Sequence, residues 1–289
     1  MEVRKARALG FCFGVRRAIR ILEQASREHG GIETLGPAVH NQQVVDRLSG
    51  MEIRVAQSLE QARGGVVAIT AHGVGPGVLA EIRARQLYVV DATCPIVRRA
   101  QRRARELSRA GFGVIIFGEV THPEVKGLLG WADSKAVAAL EGVELTSFSP
   151  LPRRLGVISQ TTQSRSDFAQ FVGELMAVLP PRVRELRIID TICQATQKRQ
   201  EAATELAQRS QLMVVIGGRD SANTRRLAEI CSTVVETHRV EMASEIDEAW
   251  LKGKSSVGVT AGASTPNEAI NEVVLRLKSF GESSQAGSI

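Results

Sequence analysis

Long apolar segments and aromatic residues are both scarce in this chain of 289 residues. No uninterrupted apolar stretch comes near the roughly 20 residues that a helix needs to cross a bilayer. Aromatic residues make up only 4%, and the chain lacks the aromatic, zinc-finger and basic-zipper motifs of nucleic-acid-binding domains. We therefore expect a soluble protein that binds neither a membrane nor a nucleic acid, although its net charge is +6.

Cysteine is rare as well, with 4 residues in the chain and no CxxC pair among them. Such scattered thiols exclude a disulfide scaffold and favour a reducing compartment. Residues 1–19 are rich in arginine, but their apolar stretch is too short for a secretory signal. We therefore expect the protein to be cytoplasmic.

Two common nucleotide-binding loops are missing. The sequence has no GxxxxGK[ST] loop, which excludes the usual nucleoside-triphosphate cradle, and no GxGxxG after a strand, which argues against bound NAD or flavin. The remaining composition, 43% hydrophobic and 24% charged residues, is that of an ordinary globular protein. Any electrons that its chemistry needs would have to come from outside.

Three segments of the chain are similar to one another. In each, a cysteine is followed at once by an amphipathic helical pattern, and in the first two a glycine then ends the helix. The three cysteines are Cys12, Cys94 and Cys193. Two further segments follow each of these helices, and in both an apolar strand runs into a polar loop and another helix.

This alternation predicts βαβ units with parallel sheets, and we expect three small α/β domains related by pseudo-threefold symmetry. Their predicted ranges are 10–92, 93–190 and 191–280, with 1–9 joined to the third domain and 281–289 a flexible tail. Ligands of open α/β sheets bind beyond the carboxyl ends of the strands. All six predicted strand ends carry polar side chains, namely His40 with Asn41, His72, His122 with Glu124, Gln160 to Thr162, Ser221 with Asn223, and Ser264 with Thr265.

Some of these residues also have ordinary structural explanations. Thr265 and Ser164 fit helix caps, and His122 followed by Pro123 could simply open a helix. Histidines at three separate strand ends nevertheless favour one shared site. Imidazoles, short polar side chains and helix N-termini together suit a small diphosphate.

A cysteine at a helix N-terminus is favoured as the thiolate, the form that binds metals. Three such thiols fit an iron–sulfur cluster with one iron left open to substrate, by the logic of open-site metals. A zinc site and three unrelated core thiols remain open alternatives at this point. Cys231 belongs to no repeat, and we interpret it as a core residue.

A stripe of basic residues follows Cys94, at near-helical spacing: Arg98, Arg102, Arg105 and Arg109. A solvated helix face is the ordinary interpretation of such a stripe. The same charges could also steer an acidic partner toward the protein.

The motifs GFCFGV, VHN, AHGV, DATCP, THPEV, QTT, DTICQATQKRQ, DSANTRRL and TAGAS follow one another in this order. In this order and spacing, residues 10–277 resemble the 4-hydroxy-3-methylbut-2-enyl diphosphate reductase family, the last enzymes of the non-mevalonate isoprenoid pathway. The resemblance implies a trefoil of three α/β domains around a [4Fe-4S] cluster held by Cys12, Cys94 and Cys193. The fourth iron would bind the substrate's hydroxyl, which is removed reductively as water to give isopentenyl and dimethylallyl diphosphate.

The resemblance also assigns individual roles. Glu124 would be the proton donor, its pKa raised by burial and nearby negative charge, and Thr161 would bind the substrate hydroxyl, with Thr196 a weaker candidate. The diphosphate ligands map onto His40, His72, His122, Ser221, Asn223 and Ser264. Where the family often has a second serine, this chain has Ala222, so a backbone N–H would have to replace one hydroxyl contact. A small acidic ferredoxin or flavodoxin is the implied electron donor.

Two other functions fit parts of the pattern. A hydro-lyase with an open-iron cluster would remove water without external electrons. A regulatory or RNA-binding protein that keeps the cluster scaffold is suggested by the basic balance alone.

Overall fold

The computed structural model describes residues 1–133, 136–142 and 152–286, and of 281–286 only the backbone. Its strands and α-helices, in chain order, are β1 (Glu2–Lys5), α1 (Phe13–His29), β2 (Ile32–Leu35), α2 (Gln42–Ser49), β3 (Ile53–Ala56), β4 (Val66–Ile69), α3 (Pro76–Ala84), β5 (Tyr88–Asp91), α4 (Pro95–Arg109), β6 (Gly113–Phe117), α5 (Pro123–Trp131), β7 (Val137–Ala139), β8 (Arg154–Ser159), α6 (Arg165–Val178), β9 (Glu185–Ile188), α7 (Gln194–Ala207), β10 (Leu212–Ile216), α8 (Ala222–Ser232), β11 (Thr237–Val240), β12 (Ser256–Ala261) and α9 (Asn267–Ala286). Two short 3-10 helices, Ala243–Glu245 and Glu248–Leu251, lie between β11 and β12.

The strands form three four-stranded sheets, ordered β1-β12-β10-β11, β3-β2-β4-β5 and β7-β6-β8-β9. Every neighbouring pair is parallel; Val214 of β10, for example, lies opposite Val259 of β12. Counted from the strand that precedes a cysteine, the three orders are equivalent, with β1, β5 and β9 at matching edges. The predicted α/β class with three parallel sheets is confirmed.

Central strands are apolar along their whole length because helices cover both faces of each sheet. In β10, Val214 packs with Val273 and Leu277 of α9 on one face. Met213 of the same strand packs with Leu227 of α8 on the other face. Strands β6 and β10 are therefore buried at every residue, whereas the edge strand β5 is largely exposed.

The described chain divides into two compact units. The first contains 1–16, 39–47 and 194–289, and the second contains 17–38 and 48–193. The β1-β12-β10-β11 sheet lies in the first unit, and the other two sheets lie in the second. The three predicted domain ranges remain a prediction.

All six predicted strand–loop–helix segments are present, as β2–α2, β4–α3, β6–α5, β8–α6, β10–α8 and β12–α9. Helix α9 runs to Ala286, into the range 281–289 that the composition predicted to be a flexible tail. Residues 287–289 lie outside the described part, so the predicted flexibility stays a prediction.

Helices of the described residues are either too short or too polar to cross a membrane.

Candidate functional site

The three repeat cysteines occupy equivalent positions. Each lies at the start of a helix, directly before it or as its N-cap, and beyond the carboxyl end of an edge strand. We call these helices, α1, α4 and α7, the cysteine helices. The backbone N–H of each cysteine donates to the carbonyl two residues past the neighbouring inner strand. These bonds join Cys12 to Ala263 (3.1 Å), Cys94 to Ala71 (3.0 Å) and Cys193 to Thr161 (2.9 Å).

The surroundings of these thiols suit metal binding. All three are half-buried and none forms a disulfide, and the Val15 N–H donates to the Cys12 sulfur at 3.3 Å. Cys231 differs, because it is fully buried in an apolar cluster and burial raises the pKa of its thiol to about 11. Its interpretation as a core residue is confirmed. The donor set fits an iron–sulfur cluster, which is held by thiolates.

Glu124 is a buried carboxyl group, only 2% exposed, in the first turn of α5. Burial raises the pKa of Glu124 to about 7, and two hydrogen bonds from Thr161 oppose that rise. The predicted increase in pKa is confirmed, with burial as its main cause. A carboxyl group that titrates near neutrality can hold a proton and release it, as a general acid must.

Thr161 joins this carboxyl group to a cysteine. Its backbone N–H donates to Glu124 Oε1 at 2.6 Å, and its hydroxyl lies 2.9 Å from Oε2. Its carbonyl accepts the N–H of Cys193 at 2.9 Å. The acid and one of the cysteines are therefore held by the same residue, within the second unit.

His122 opens α5 as its N-cap, as Pro123 in the next position suggested. The Glu124 N–H donates to His122 Nδ1 at 3.1 Å, so the neutral ring carries its proton on Nε2. The Thr70 hydroxyl lies 3.3 Å from Nδ1 of His72. The two imidazole rings meet edge to face with centroids 5.4 Å apart, so these two predicted ligands lie side by side.

In the first unit, Ser221 is the N-cap of α8 and accepts the Thr224 N–H at 3.3 Å, which leaves its own proton for another acceptor. The Ser264 hydroxyl lies 3.5 Å from the His40 carbonyl. Gly218 allows this crowding, because a Cβ there would lie 2.1 Å from the His40 carbonyl oxygen. Four of the predicted ligands, His40, Ser221, Asn223 and Ser264, thus lie in this unit.

Asn223 has the most informative surroundings of these ligands. Its side chain is 5% exposed, and neither amide atom has a hydrogen-bond partner among the described residues. A buried polar group left without a partner costs free energy, which a bound ligand that hydrogen-bonds to the group would recover. Ala222 opens the same helix, and its N–H belongs to the first turn, where N–H groups lack intrahelical acceptors.

Asn41 carries a second buried amide, and no role was assigned to its side chain from the sequence. Its Oδ1 accepts the Val44 N–H at 3.1 Å, while its buried Nδ2 has no partner within the described ranges. The VHN motif was the available signal, but a helix-capping residue and a ligand-binding residue look alike in sequence.

Of the two predicted helix caps, Ser164 caps α6. The Thr265 hydroxyl instead donates to the Ile216 carbonyl at 3.0 Å and does not cap α9.

We expect Asn223→Ala to weaken substrate binding without weakening the fold. If Asn223 binds the diphosphate that the resemblance implies, loss of these hydrogen bonds should raise KM by about 10- to 100-fold, since each is worth about 1.5–3 kcal/mol. The melting temperature should stay the same or rise, because the amide has no hydrogen bond to another described residue that it could lose. Steady-state kinetics and calorimetry measure both effects, with the surface change Asn267→Ala as control. A drop in melting temperature with unchanged KM would make Asn223 structural.

The chain is similar to known proteins over nearly its whole length. The family model described as LytB protein matches residues 3–278. A 4-hydroxy-3-methylbut-2-enyl diphosphate reductase of Dehalococcoides mccartyi (strain CBDB1) is 51% identical over 273 residues, 94% of this chain and 96% of that protein. The enzyme of the same name from Geobacter sulfurreducens is 43% identical over 281 residues, 97% of this chain and 98% of that protein.

Two solved structures are similar over most of the chain. One, of (E)-4-hydroxy-3-methyl-but-2-enyl diphosphate reductase, the terminal enzyme of the non-mevalonate pathway, aligns with a TM-score of 0.68 and 36% identity over 96% of this chain and 100% of that one. The other, of E-1-hydroxy-2-methyl-but-2-enyl-4-diphosphate reductase from Plasmodium falciparum, has a TM-score of 0.89 and 25% identity over 95% and 87%. With matches of this extent, the chain belongs to the LytB family of 4-hydroxy-3-methylbut-2-enyl diphosphate reductases.

Proposed function

We propose that this protein reductively removes the hydroxyl group of (E)-4-hydroxy-3-methylbut-2-enyl diphosphate, giving isopentenyl and dimethylallyl diphosphate. Family membership over nearly the whole chain supports this reaction. The structural observation that best supports the reaction is Glu124, a buried acid with a pKa of about 7. Thr161 hydrogen-bonds both to this acid and to the backbone N–H of Cys193. A carboxyl group of this kind suits a reaction in which hydroxide must leave as water.

LytB proteins are iron–sulfur enzymes, and we assign Cys12, Cys94 and Cys193 as the ligands of one [4Fe-4S] cluster with an open iron. Their matching positions at helix N-termini and their half-buried thiols support this assignment. When bound, such a cluster supplies electrons and a Lewis-acidic iron. Thiolate ligands also need a reducing compartment, which is the basis for a cytoplasmic location.

The diphosphate is assigned to His40, His72, His122, Ser221, Asn223 and Ser264. The Nε2–H of neutral His122 supplies a donor, because Nδ1 already accepts from Glu124. The N-terminus of α8 supplies the Ser221 hydroxyl, first-turn N–H groups and the positive end of the helix dipole. The N–H of Ala222 takes the place of the absent serine hydroxyl.

Proton delivery is assigned to Glu124 through Thr161. The allylic C–O bond breaks, the departing hydroxyl takes one proton to leave as water, and the carbon skeleton takes two electrons and a second proton. Thr161 orients the hydroxyl with its own Oγ1, which lies 2.9 Å from the carboxyl oxygen of Glu124. Burial of both residues keeps bulk water from replacing this path.

The test is anaerobic purification with iron and sulfide counted, followed by product analysis with and without a chemical reductant. We expect both isoprenyl diphosphates, formed only with the reductant. Conversion without reductant would favour a hydro-lyase. A protein that is folded and free of iron, cannot be reconstituted, and binds RNA would favour the regulatory alternative.

A small acidic redox protein is proposed as the electron donor, and the exposed arginines of α4 as a steering surface. The structure shows that some of these arginines already contact other residues of the protein. Arg98 already pairs with Asp91 at 2.7 Å, and Arg105 lies over the Trp131 ring at 5.5 Å. Within the described ranges Arg99 and Arg102 form no ion pair, so their charges are available to a partner.

Charge reversal at Arg99 and Arg102 should lower the donor-driven rate about tenfold at low salt and flatten its salt dependence. The rate with dithionite should not change, because the active site is untouched. Reversal of Arg27, an exposed residue near the end of α1, is the matched control. Equal donor-driven rates in both variants would place docking elsewhere.

A further inference from the structure

Arginines on two of the three cysteine helices hold the backbone just ahead of a cysteine. Arg199 of α7 is buried, only 6% exposed. Its guanidinium donates to the Gly10 carbonyl at 2.7 Å and to the Ala195 carbonyl at 2.9 Å. Gly10 lies two residues before Cys12, and Ala195 lies two residues after Cys193, so one buried cation contacts the chain near two cysteines.

Gly10 can accept this bond because of its backbone conformation. Its φ is +74°, where a side chain would be strained, and an added Cβ would lie 3.0 Å from Ile270. This conformation directs the Gly10 carbonyl at the guanidinium. The glycine of the GFCFGV motif and Arg199 therefore act as a pair.

Arg17 of α1 makes the corresponding contact in the second unit. Its guanidinium donates to the Thr93 carbonyl at 3.2 Å, one residue before Cys94. The Cys193 segment is held differently, by the Thr191 hydroxyl, which donates to the Ser159 carbonyl. Guanidinium groups thus bond backbone carbonyls ahead of Cys12 and Cys94, whereas a threonine hydroxyl makes a backbone bond ahead of Cys193.

Helix packing does not require an arginine at position 199. The residue six positions after the cysteine is Ala18 in α1 and Ala100 in α4, both fully buried. The third helix has an arginine at that position. A buried guanidinium is costly compared with an apolar residue, so its presence calls for a role.

We propose that Arg199 and Arg17 are positioning residues for the cluster ligands, and that their positive charge favours the reduced cluster. The inference rests on the proposed function, which supplies the cluster. Groups beyond the direct ligands orient those ligands and tune the metal, and nearby charge shifts the reduction potential of an iron–sulfur cluster. A cation close to the ligand loops stabilises the added electron and so raises that potential.

The positioning role can be tested with or without a cluster, by measuring hydrogen exchange of the backbone amides around Cys12 and Cys94. Cys12 and Cys94 each donate an N–H to a carbonyl of the same unit. Arg199→Gln should speed exchange about tenfold in the peptide that contains Cys12 and leave the Cys94 peptide unchanged, since it removes a charge-assisted bond. Arg17→Gln should do the reverse. Arg27→Gln should change neither peptide.

The electrostatic role is tested by anaerobic redox titration of the reconstituted proteins, followed by electron paramagnetic resonance. Arg199→Gln should lower the midpoint potential, and Arg199→Lys should restore most of it because the charge returns. Iron loss to a chelator should be several-fold faster in the glutamine variant, with the lysine variant in between. Arg27→Gln again serves as the control.

Failure of this inference is distinguishable from failure of the proposed function. If the unmodified protein holds no cluster, the proposed function fails, while exchange in the cluster-free protein still decides the positioning role. The positioning role would be overturned if both cysteine peptides of folded Arg199→Gln and Arg17→Gln exchanged at the same rates as in the unmodified protein. Unchanged potentials would overturn the electrostatic one. If Arg199→Gln does not fold, Arg17→Gln, at a half-buried site, and Arg199→Lys decide instead.

Discussion

Replacement of Glu124 by glutamine is expected to lower kcat by about 10²- to 10⁴-fold, the usual contribution of a general acid. The amide is nearly isosteric and can still accept the Thr161 N–H, which now lies 2.6 Å from Oε1. It cannot donate an acidic proton to a departing hydroxyl. Iron content and KM should therefore stay close to those of the unmodified protein while turnover falls.

The pH profile of the unmodified enzyme tests the same residue. Because burial raises the pKa of Glu124 to about 7, the carboxyl group holds its proton below neutrality and loses it above. The active form is the protonated one, so kcat should fall as pH rises through 7. This limb should be absent from the residual activity of Glu124→Gln.

The pKa of Glu124 should also make the free energy of unfolding depend on pH. The pKa is higher in the folded protein than in the unfolded chain, so the folded protein binds more protons between about 4.5 and 7. The Glu124 contribution to stability is therefore fully present below 4.5 and is lost as pH rises through 7. Glu124→Gln should remove this dependence, and Glu28→Gln, a change at an exposed residue, should preserve it.

Near-normal turnover in Glu124→Gln would exclude Glu124 as the proton donor.

Replacement of Cys94 by alanine is expected to remove nearly all bound iron and nearly all activity. Cys94 is the N-cap of α4 and, in our assignment, one of only three protein ligands. Its loss leaves two irons without a protein ligand, and the cluster should break down on purification. The helix itself should form, because the Cys94 side chain makes no capping hydrogen bond.

Cys231→Ala is the matched control for this substitution. The same atoms are removed from a buried thiol whose pKa is raised to about 11, at a cost of roughly 1 kcal/mol for the cavity. Iron, visible absorbance and activity should be retained. Iron counts on both anaerobically purified variants decide the matter. Retention of a full cluster in Cys94→Ala, or its loss in Cys231→Ala, would contradict the assignment of ligands.

Much of the fold could be predicted because its signals are local. The apolar strands, polar loops and helices follow one another at short range, so the βαβ pattern is present within each segment of about 30 residues. The positions of Cys12, Cys94 and Cys193 before helices were predicted for the same reason. The edge strands β3, β7 and β11 were not predicted.

Contacts between distant segments could not be predicted from local pattern. The sequence placed Glu124 and Thr161 at two different strand ends, but not the two hydrogen bonds that join them. No local pattern distinguishes Arg199 from other basic residues in helices, and only the folded chain brings its guanidinium to the Gly10 carbonyl. The arginines of α4 looked equivalent until Arg98 was found paired with Asp91.

The sequence by itself determined the α/β class, the three cysteine helices and the residue types that chemistry on a diphosphate requires. Those features depend on side-chain periodicity and on neighbours along the chain. Tertiary structure alone decided that Glu124 is buried enough to titrate near neutrality, that neutral His122 carries its ring proton on Nε2, and that the Asn223 amide has no partner in the part of the chain that the structure describes. Burial and hydrogen-bond partners are set by residues far apart in sequence, and these set the proton affinity of each group.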